Sequence, residues 1–573
     1  MNPYHLIQYG VFLVVLLLCV KPVGIYLYRV FEGKPTALDF LLRPVERLLY
    51  RLLRVNPANE MTWRDYTLAF IVFTLCAAGW LFALLMVQSL LPEHNPALLT
   101  TPMTPDLALN TAISFSTGTT WQAYGGETTL TYLSQALGLV SQNFFAGGAG
   151  LAVGIAFIRG LAREQGTTLG NFWVDLTRAI LWVLLPLSVL VALLLVWQGV
   201  PLNLNPYTQA ATVQGETQTL PQGPIAALES IKNLGTNGGG YFNTNAAHPY
   251  ENPTPLTNMI ELWSIVVLPA ALTYTFGRMI GRTSQGWFLL AVMTLLFVVG
   301  LGITGLAEQQ GNPRITALGV DSTLSTAQPG GNMEGKEVRF GIHGSALAAV
   351  TTSNGATGSY NSMHDSYTPL GGMVPLVNML LGELIYGGVG TGIYSMVMLV
   401  LISVFISGLM IGRSPEYLGK PVSVDEIKLV GLYLILSAAV ILPLTALAVL
   451  LPAGRAGLVT NQGAHGFTEI FYAYTSSFAN NGQNFAGLNA NSVFYNLTTA
   501  LAMLAGRIGL ATLALALAGL FVQQRCRPPS SGMLPTDGFT FGVVLIAVIF
   551  IVGALSFFPA LALGPLVEQL RLY

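Results

Sequence analysis

Charge is what this sequence has least of. Of its 573 residues only 9% are Asp, Glu, Lys or Arg, where a soluble domain carries about 25%. A chain so poor in charge, 53% hydrophobic and with a mean hydropathy of +0.60, belongs with the polytopic membrane proteins. Its net charge of −1 and its lack of any long basic run exclude a surface built for nucleic-acid phosphates. Cysteine is scarce too: Cys19, Cys76 and Cys526 stand too far apart for a disulfide framework or a metal-ligand spacing. Phosphate-handling motifs are missing, with no G-x-x-x-x-G-K-[ST] and no Asp-Lys-Thr-Gly, so no bound nucleotide is expected. Gly300-Leu-Gly-Ile-Thr-Gly305 spells a dinucleotide fingerprint, but it lies inside an apolar run with no strand–helix unit around it, and is read as chance. The start of the chain has no basic stretch ahead of its first apolar run, which is therefore expected to stay as a membrane helix.

What the chain has is apolar length and glycine. A spanning helix needs about 20 mostly apolar residues, and ten stretches qualify: about 5–30, 66–91, 129–158, 172–199, 255–280, 286–306, 373–411, 427–452, 491–523 and 538–560. Four glycine loops lie between them. Ser116-Thr-Gly118, Thr236-Asn-Gly238, Ala356-Thr-Gly358 and Asn480-Asn-Gly482 end in Gly118, Gly238, Gly358 and Gly482, which stand 120, 120 and 124 residues apart. Such regularity is an internal repeat. A short apolar segment precedes each loop, at about 107–115, 224–234, 343–353 and 467–478. None can cross a bilayer, so each is expected to re-enter as a half-helix buried in protein or beside water.

The expected fold is an all-α polytopic membrane protein of about ten transmembrane helices. Four pseudo-fourfold repeats of span, pore helix, filter loop and span account for most of it. The expected units are 1–65 (first span and basic segment), 66–163, 164–282, 283–420 with an outer cap loop, 421–527 and 528–573. Lys34, Arg43, Arg47, Arg51, Arg54 and Arg64 follow the first span, and later turns on that side carry Arg159, Arg163, Arg278, Arg282, Arg413, Lys420, Arg525 and Arg527. The region 92–128 has no Lys or Arg at all. Positive residues mark the cytoplasmic side, which places both termini and the four loops outside. The stretch 307–341 reads equally well as an ordered cap or a mobile loop.

Rings of backbone carbonyls replace an ion's hydration shell in a selectivity filter, and the negative C-terminal ends of helices add attraction for cations. Half-helix followed by glycine loop supplies both. The candidate potassium ligands are Thr117, Gly118, Thr236, Asn237, Gly238, Gly239, Ala356, Thr357, Gly358, Asn480, Asn481 and Gly482. Two features break the fourfold pattern. The seventh apolar stretch is too long for one straight helix and contains Gly387, Gly388, Val389, Gly390, Thr391 and Gly392. These are read as a gate beneath the filter or as a packing kink. Arg507 lies mid-span in the ninth stretch, where a charge is functional by default or else satisfies carbonyls at a helix contact. Glu261 and Glu383 fall within spans and either face the ion path or brace half-helices. His248, His364 and His465 are read as structural. No catalytic residue is identified.

Long motifs carry a resemblance. Residues 235–254, beginning Gly-Thr-Asn-Gly-Gly-Gly-Tyr-Phe-Asn, together with Asn332-Met-Glu-Gly-Lys-Glu337, Met363-His-Asp-Ser366, Gly387-Gly-Val-Gly390 and 411–420, resemble the potassium-binding A subunit of the bacterial Kdp potassium-importing ATPase. The resemblance covers essentially the whole chain. It implies the superfamily of potassium transporters and K+ as the transported ion. It also implies a multi-pass place in the bacterial cytoplasmic (inner) membrane and a complex with three other proteins: the P-type ATPase or B subunit, a C subunit and a small F subunit. Ions there are thought to leave the filter sideways toward the B subunit, with 387–392 and Arg507 at the positions that block a direct exit. Gly118 stands where Asn is frequent in the family, and Thr357 where Cys is frequent. The implied function is a non-hydrolysing, potassium-selective subunit of an ATP-driven importer. Competing readings are a stand-alone, gradient-driven potassium or sodium transporter of the same superfamily and a polytopic membrane enzyme.

Overall fold

The computed structural model describes residues 3–90, 100–325, 328–527 and 535–572, with the side chains of 3–5 left aside. Among the described residues ten helices are long and apolar enough to cross a membrane: Leu6–Phe31, Trp63–Leu90, Ser134–Ala162, Phe172–Trp197, Pro255–Met279, Thr283–Ala317, Thr391–Ile411, Val424–Leu450, Val493–Gln523 and Phe539–Leu563. The sixth is continuous as an α-helix over Thr283–Gln310, so the glycine run at 300–305 is helical, as its context required. The expected end of the second span at 91 and the first residues of the expected unit 528–573 lie outside the described residues.

Four half-helices stand where short apolar segments were expected: Pro105–Thr117, Ile225–Leu234, Gly341–Asn354 and Gly463–Ala479. One expectation is corrected. The stretch 373–411 is two helices, Pro369–Leu380 and Thr391–Ile411, and the break runs over 381–390 rather than 387–392. Thr391 and Gly392 already belong to the spanning helix. Leu381 closes the first helix by donating to Val377 O (2.9 Å), and Gly382 and Glu383 then turn at positive φ (84° and 52°).

The third span is the spine, with 89% of its most apolar window buried, against 22% for the eighth and 28% for the first. Small residues make this possible, because a bare glycine lets another backbone come close. A methyl group on Gly147 would lie 2.9 Å from Gly235 Cα, and one on Gly150 would lie 2.8 Å from Val389 O. Three spans contain a wide π turn: Ser134–Val140 in the third, Ala179–Leu184 in the fourth and Ala505–Gly509 in the ninth. Pro186, which has no amide to give the helix ladder, follows the second of these.

Buried ion pairs hold the ends of the spans. On the basic side Arg159 forks onto Asp175 (2.6 and 2.8 Å), which also accepts from Tyr66 (3.0 Å), while Arg159 reaches Phe31 O (3.2 Å). The first four spans are thereby tied together. Lys420 inserts into the helix ends of the third and ninth spans, donating to Gly160 O (3.2 Å) and Phe521 O (2.9 Å). On the opposite side Glu308 pairs with buried Lys336 (2.7 Å) and accepts from Asn332 (2.8 Å) and Thr368 N (2.8 Å). Within 307–341, Glu308, Asn332 and Lys336 are thus buried, while Leu318, Leu324 and Val338 are exposed.

Asp175→Asn leaves the Arg159 guanidinium buried with only half its partner, and removing one member of such a pair costs about 3–5 kcal/mol. A thermal melt of the purified chain should show a clear drop. An unchanged melting temperature would mean that this junction does not hold the spans.

Candidate ion filter and the plug beneath it

Each half-helix ends in the same way, and the shared ending sets the register of the four loops. Thr119 N bonds Ser114 O (2.9 Å), Asn237 N bonds Lys232 O (2.9 Å), Thr357 N bonds Thr352 O (3.4 Å) and Asn481 N bonds Ser476 O (3.0 Å). The residue just before each of these amides is left-handed: Gly118 (φ 79°), Thr236 (49°), Ala356 (51°) and Asn480 (60°). One residue beyond the amide stand Thr120 (φ 53°), Gly238 (94°), Gly358 and Gly482 (84°). Gly118 therefore matches Thr236, Ala356 and Asn480, not Gly238, Gly358 and Gly482. The spacing of 120 residues between Gly118 and Gly238 misplaces the first loop by two positions. Thr119 and Thr120 occupy the places that glycine spacing gave to Thr117 and Gly118. Thr117 is the last residue of its half-helix, its hydroxyl donating back to Ile113 O (2.8 Å).

The loops meet in a closed ring, each touching the next in chain order. Thr120 Oγ1 donates to Asn237 O (2.7 Å), and Gly358 N donates to the same oxygen (3.0 Å). A methyl group on Gly238 would overlap the backbone of Gly358, and one on Gly358 would lie 3.0 Å from Gly482 C. One on Gly482 would overlap Thr119 O, which closes the circle, and one on Gly239 would lie 3.3 Å from Thr120 Cβ. Thr119, Thr120, Asn237, Gly238, Gly239, Gly358 and Gly482 thus meet at one place where four half-helices end, while Thr117 stays in its half-helix.

Beneath the ring lies the break in the seventh stretch. Val389 N donates to Thr236 Oγ1 (2.8 Å), and a methyl group on Gly388 would lie 2.7 Å from Ala356 Cβ. Gly388 O accepts from Thr391 N (2.8 Å) and Gly392 N (3.2 Å), so the seventh span begins, with its positive end, directly below the loops. Arg507 comes to the same level from the wide turn of the ninth span. It is buried, donates Nη2 to Ala146 O (2.6 Å) and leaves Nε without a hydrogen-bond partner among the described residues. A methyl group on Gly150 would lie 2.8 Å from Val389 O and 3.4 Å from Arg507 Nη2, so both features press on one point of the third span. A cavity opens here, lined by Glu383, Thr391, Asn480 and Arg507. Its walls also include Tyr433 and Ser437 of the eighth span and Gly553 and Ser556 of the tenth.

Glu383 lines this cavity as well as bonding a loop, whereas Glu261 is buried with its Oε1 free of a hydrogen-bond partner among the described residues. Glu383 Oε1 accepts from Asn481 Nδ2 (2.8 Å), and Glu261 lies buried within electrostatic reach of Lys232. The three histidines also follow the structural reading. His248 stacks on Phe242 at 3.6 Å between ring centres, and His364 bonds the Tyr472 hydroxyl (3.1 Å). His465 bridges Asp365 (2.8 Å) and Glu568 (2.5 Å), locking the C-terminal helix Pro565–Leu572 onto the fourth half-helix. The fold brings Asp365, His465 and Glu469 together with donor atoms within 4.8 Å, a grouping that sequence separation hid. Both His465 nitrogens are already committed to carboxylates.

Residues 10–570 match the family described as potassium-transporting ATPase A subunit. The chain belongs to that family. A potassium-transporting ATPase potassium-binding subunit of Rhodospirillum centenum is 54% identical over 558 residues, covering 97% of this chain and 96% of the relative. Its counterpart in Rhodopseudomonas palustris is 50% identical over 565 residues, covering 99% and 98%. Among solved structures, the potassium transporter TrkH of Vibrio parahaemolyticus aligns with a TM-score of 0.52 over 89% of this chain and 98% of its own at 13% identity. That likeness shows the fold. Family and fold together establish a multi-pass helical membrane protein of the potassium-transporter type.

The His465 bridge has a pH signature. Burial opposes its charge, but the two carboxylates outweigh burial and push its pKa from 6.5 to about 10. A group raised on folding stabilises fully below its unfolded value, and the contribution is lost as pH rises through the folded one. The difference in melting temperature between the parent and His465→Gln should shrink steadily from pH 6.5 to about 10. A difference that stays constant over that window would show that His465 is not held protonated.

Proposed function

We propose that this chain is the potassium-binding, channel-like subunit of an ATP-driven potassium importer. Extracellular K+ enters the ring at Gly118, Thr119, Thr120, Thr236, Asn237, Gly238, Gly239, Ala356, Thr357, Gly358, Asn480, Asn481 and Gly482. Backbone carbonyls replace its water there, aided by the negative ends of four half-helices. The carrying observation is the closed contact of the four loops. ATP hydrolysis belongs to a P-type partner, the B subunit. The C and F subunits complete the complex in the bacterial inner membrane, with both termini of this chain outside. The chain itself hydrolyses nothing. A stand-alone gradient-driven carrier is disfavoured because relatives matching nearly the whole chain are named as subunits of an ATPase.

Gly387, Gly388, Val389, Gly390, Thr391, Gly392 and Arg507 act as the plug. An importer working against a steep gradient cannot leave a continuous pore open, since passive leak would outrun the pump. A potassium ion about 4 Å from a fixed positive charge is repelled by about 4 kcal/mol at an effective dielectric near 20. The cavity between the eighth and tenth spans then gives the ion a sideways route toward the partner.

Gly238→Ser and Gly358→Ser should both weaken the preference for potassium over sodium, measured by ion binding to the purified chain. Gly238→Ser is the more severe, since its φ of 94° is also strained for any side chain. Unchanged preference in both would sink the filter assignment. Arg507→Ala should raise passive potassium flux through proteoliposomes without ATP. Vesicles as tight as the parent's would reduce Arg507 to a packing residue.

A further inference from the structure

The repeat makes its own comparison at the residue whose carbonyl receives the loop amide. In the four half-helices that residue is Ser114, Lys232, Thr352 and Ser476. Three are small hydroxyl side chains and one is a lysine with no exposed side-chain surface. The second loop is also the one richest in glycine. Where the first and fourth loops carry Trp121 and Gln483, the second has Gly239, followed by Gly240. In the first loop Ser114 Oγ fastens Trp121 O (2.9 Å), and in the fourth Gln483 reaches Thr352 Oγ1 (2.5 Å) and Tyr472 OH (2.7 Å). Gly239 keeps a carbonyl like that of Trp121 but lacks a side chain such as Gln483 uses, so a side-chain tie for the run, beyond Gln122 Oε1 on Gly240 N (2.8 Å), comes from a neighbour.

Lys232 supplies it from outside. Its carbonyl accepts from both Asn237 N (2.9 Å) and Gly238 N (3.0 Å). Its ammonium contacts Glu229 Oε1 (2.7 Å), Glu251 Oε2 (2.8 Å) and Asn245 Oδ1 (3.0 Å). Glu251 turns its other oxygen to Phe242 N (2.7 Å), at the far end of the glycine run. One buried ammonium and one carboxylate therefore join the residue before the loop to the residue after it. The two atoms that take ring contacts from neighbouring loops, Asn237 O and the Gly238 backbone, lie between these anchors.

We propose that Lys232, with Glu251 as its fixed partner, is a specificity-determining positioning residue that holds the second loop at the width a potassium ion requires. The inference rests on the filter reading and deepens it. Lys232 does not touch the ion; it acts through Asn237 and Gly238. With the clamp broken, the glycine run relaxes and the ring closes equally well around a smaller ion. A merely structural lysine would, when removed, lower the affinity for both ions together.

The test measures potassium and sodium binding to the full purified chain in detergent, beside its melting temperature without either ion. Lys232→Met should lower the ratio of potassium to sodium affinity by about tenfold, chiefly through weaker potassium binding. Glu251→Gln, which keeps the volume and the acceptor for Phe242 N, should lower the ratio in the same direction and serves where Lys232→Met does not fold. A parent that itself binds both ions alike would overturn the filter reading and this inference with it. A selective parent beside two folded variants of equal selectivity would overturn the clamp alone.

Discussion

The structure depends on four loops being pressed together largely backbone to backbone, with the Thr120 hydroxyl bridging the first loop to the second. Each half-helix ends by giving one amide back five residues, which throws the residue before that amide into the left-handed region. That region costs non-glycine residues about 1–2 kcal/mol, and here Thr236, Ala356 and Asn480 adopt it while Gly118 does so without strain. The strain is tolerated because burial on every side leaves the loops no alternative. Thr236 shows how: its hydroxyl is held by Val389 N, so the residue that bends the second loop is also the one fixed by the segment below.

Charge is arranged along the same axis. Negative helix ends gather above the ring, while the positive end of the seventh span and the Arg507 guanidinium gather below it. On the proposed reading, a cation drawn to the loops then meets opposing charge below them. Neither feature would accomplish this alone. The break at 381–390 brings a helix end to a depth where a straight span would present only apolar side chains. The wide turn at Ala505–Gly509 adds a residue to the ninth helix and so swings Arg507 inward. Closeness is again secured by glycine: a side chain on Gly506 would overlap Phe478 O, so the turn can lie flat against the fourth half-helix.

Much of this was legible in the sequence, and what was not has physical reasons. Most spans and the half-helices follow from apolar length, which the bilayer sets, but the stretch 373–411 is long enough to hide two helices. The first loop's register is hidden because Thr120 takes a left-handed conformation that a search for glycine assigns to Gly118 instead. The helix break begins ahead of the glycine run that points to it. That run, 387–392, marks where the next helix begins, whereas the preceding helix stops at Leu381 through an ordinary terminal turn. The roles of Glu261 and Glu383 stay open in the sequence because nothing in a spanning segment tells which side faces a half-helix. The grouping of Asp365, His465 and Glu568 joins residues about a hundred positions apart and leaves no local pattern.

The departures from fourfold symmetry fall into two kinds, and the difference between them explains why a pseudo-symmetric chain is used here. Some departures change the side chain at a position whose backbone contact every repeat makes, as at Lys232, where the others have Ser114, Thr352 and Ser476. These keep the ring closed while the loops differ in sequence. Others occur once and have no counterpart: the broken seventh stretch, Arg507 and the cavity walled partly by the eighth and tenth spans. Four identical chains around an axis could form the ring, but any plug they built would be repeated four times and any side exit would open four ways. Joining the repeats in one chain allows one plug and one exit. On the proposed reading, an importer that hands its ion to a single partner uses that asymmetry.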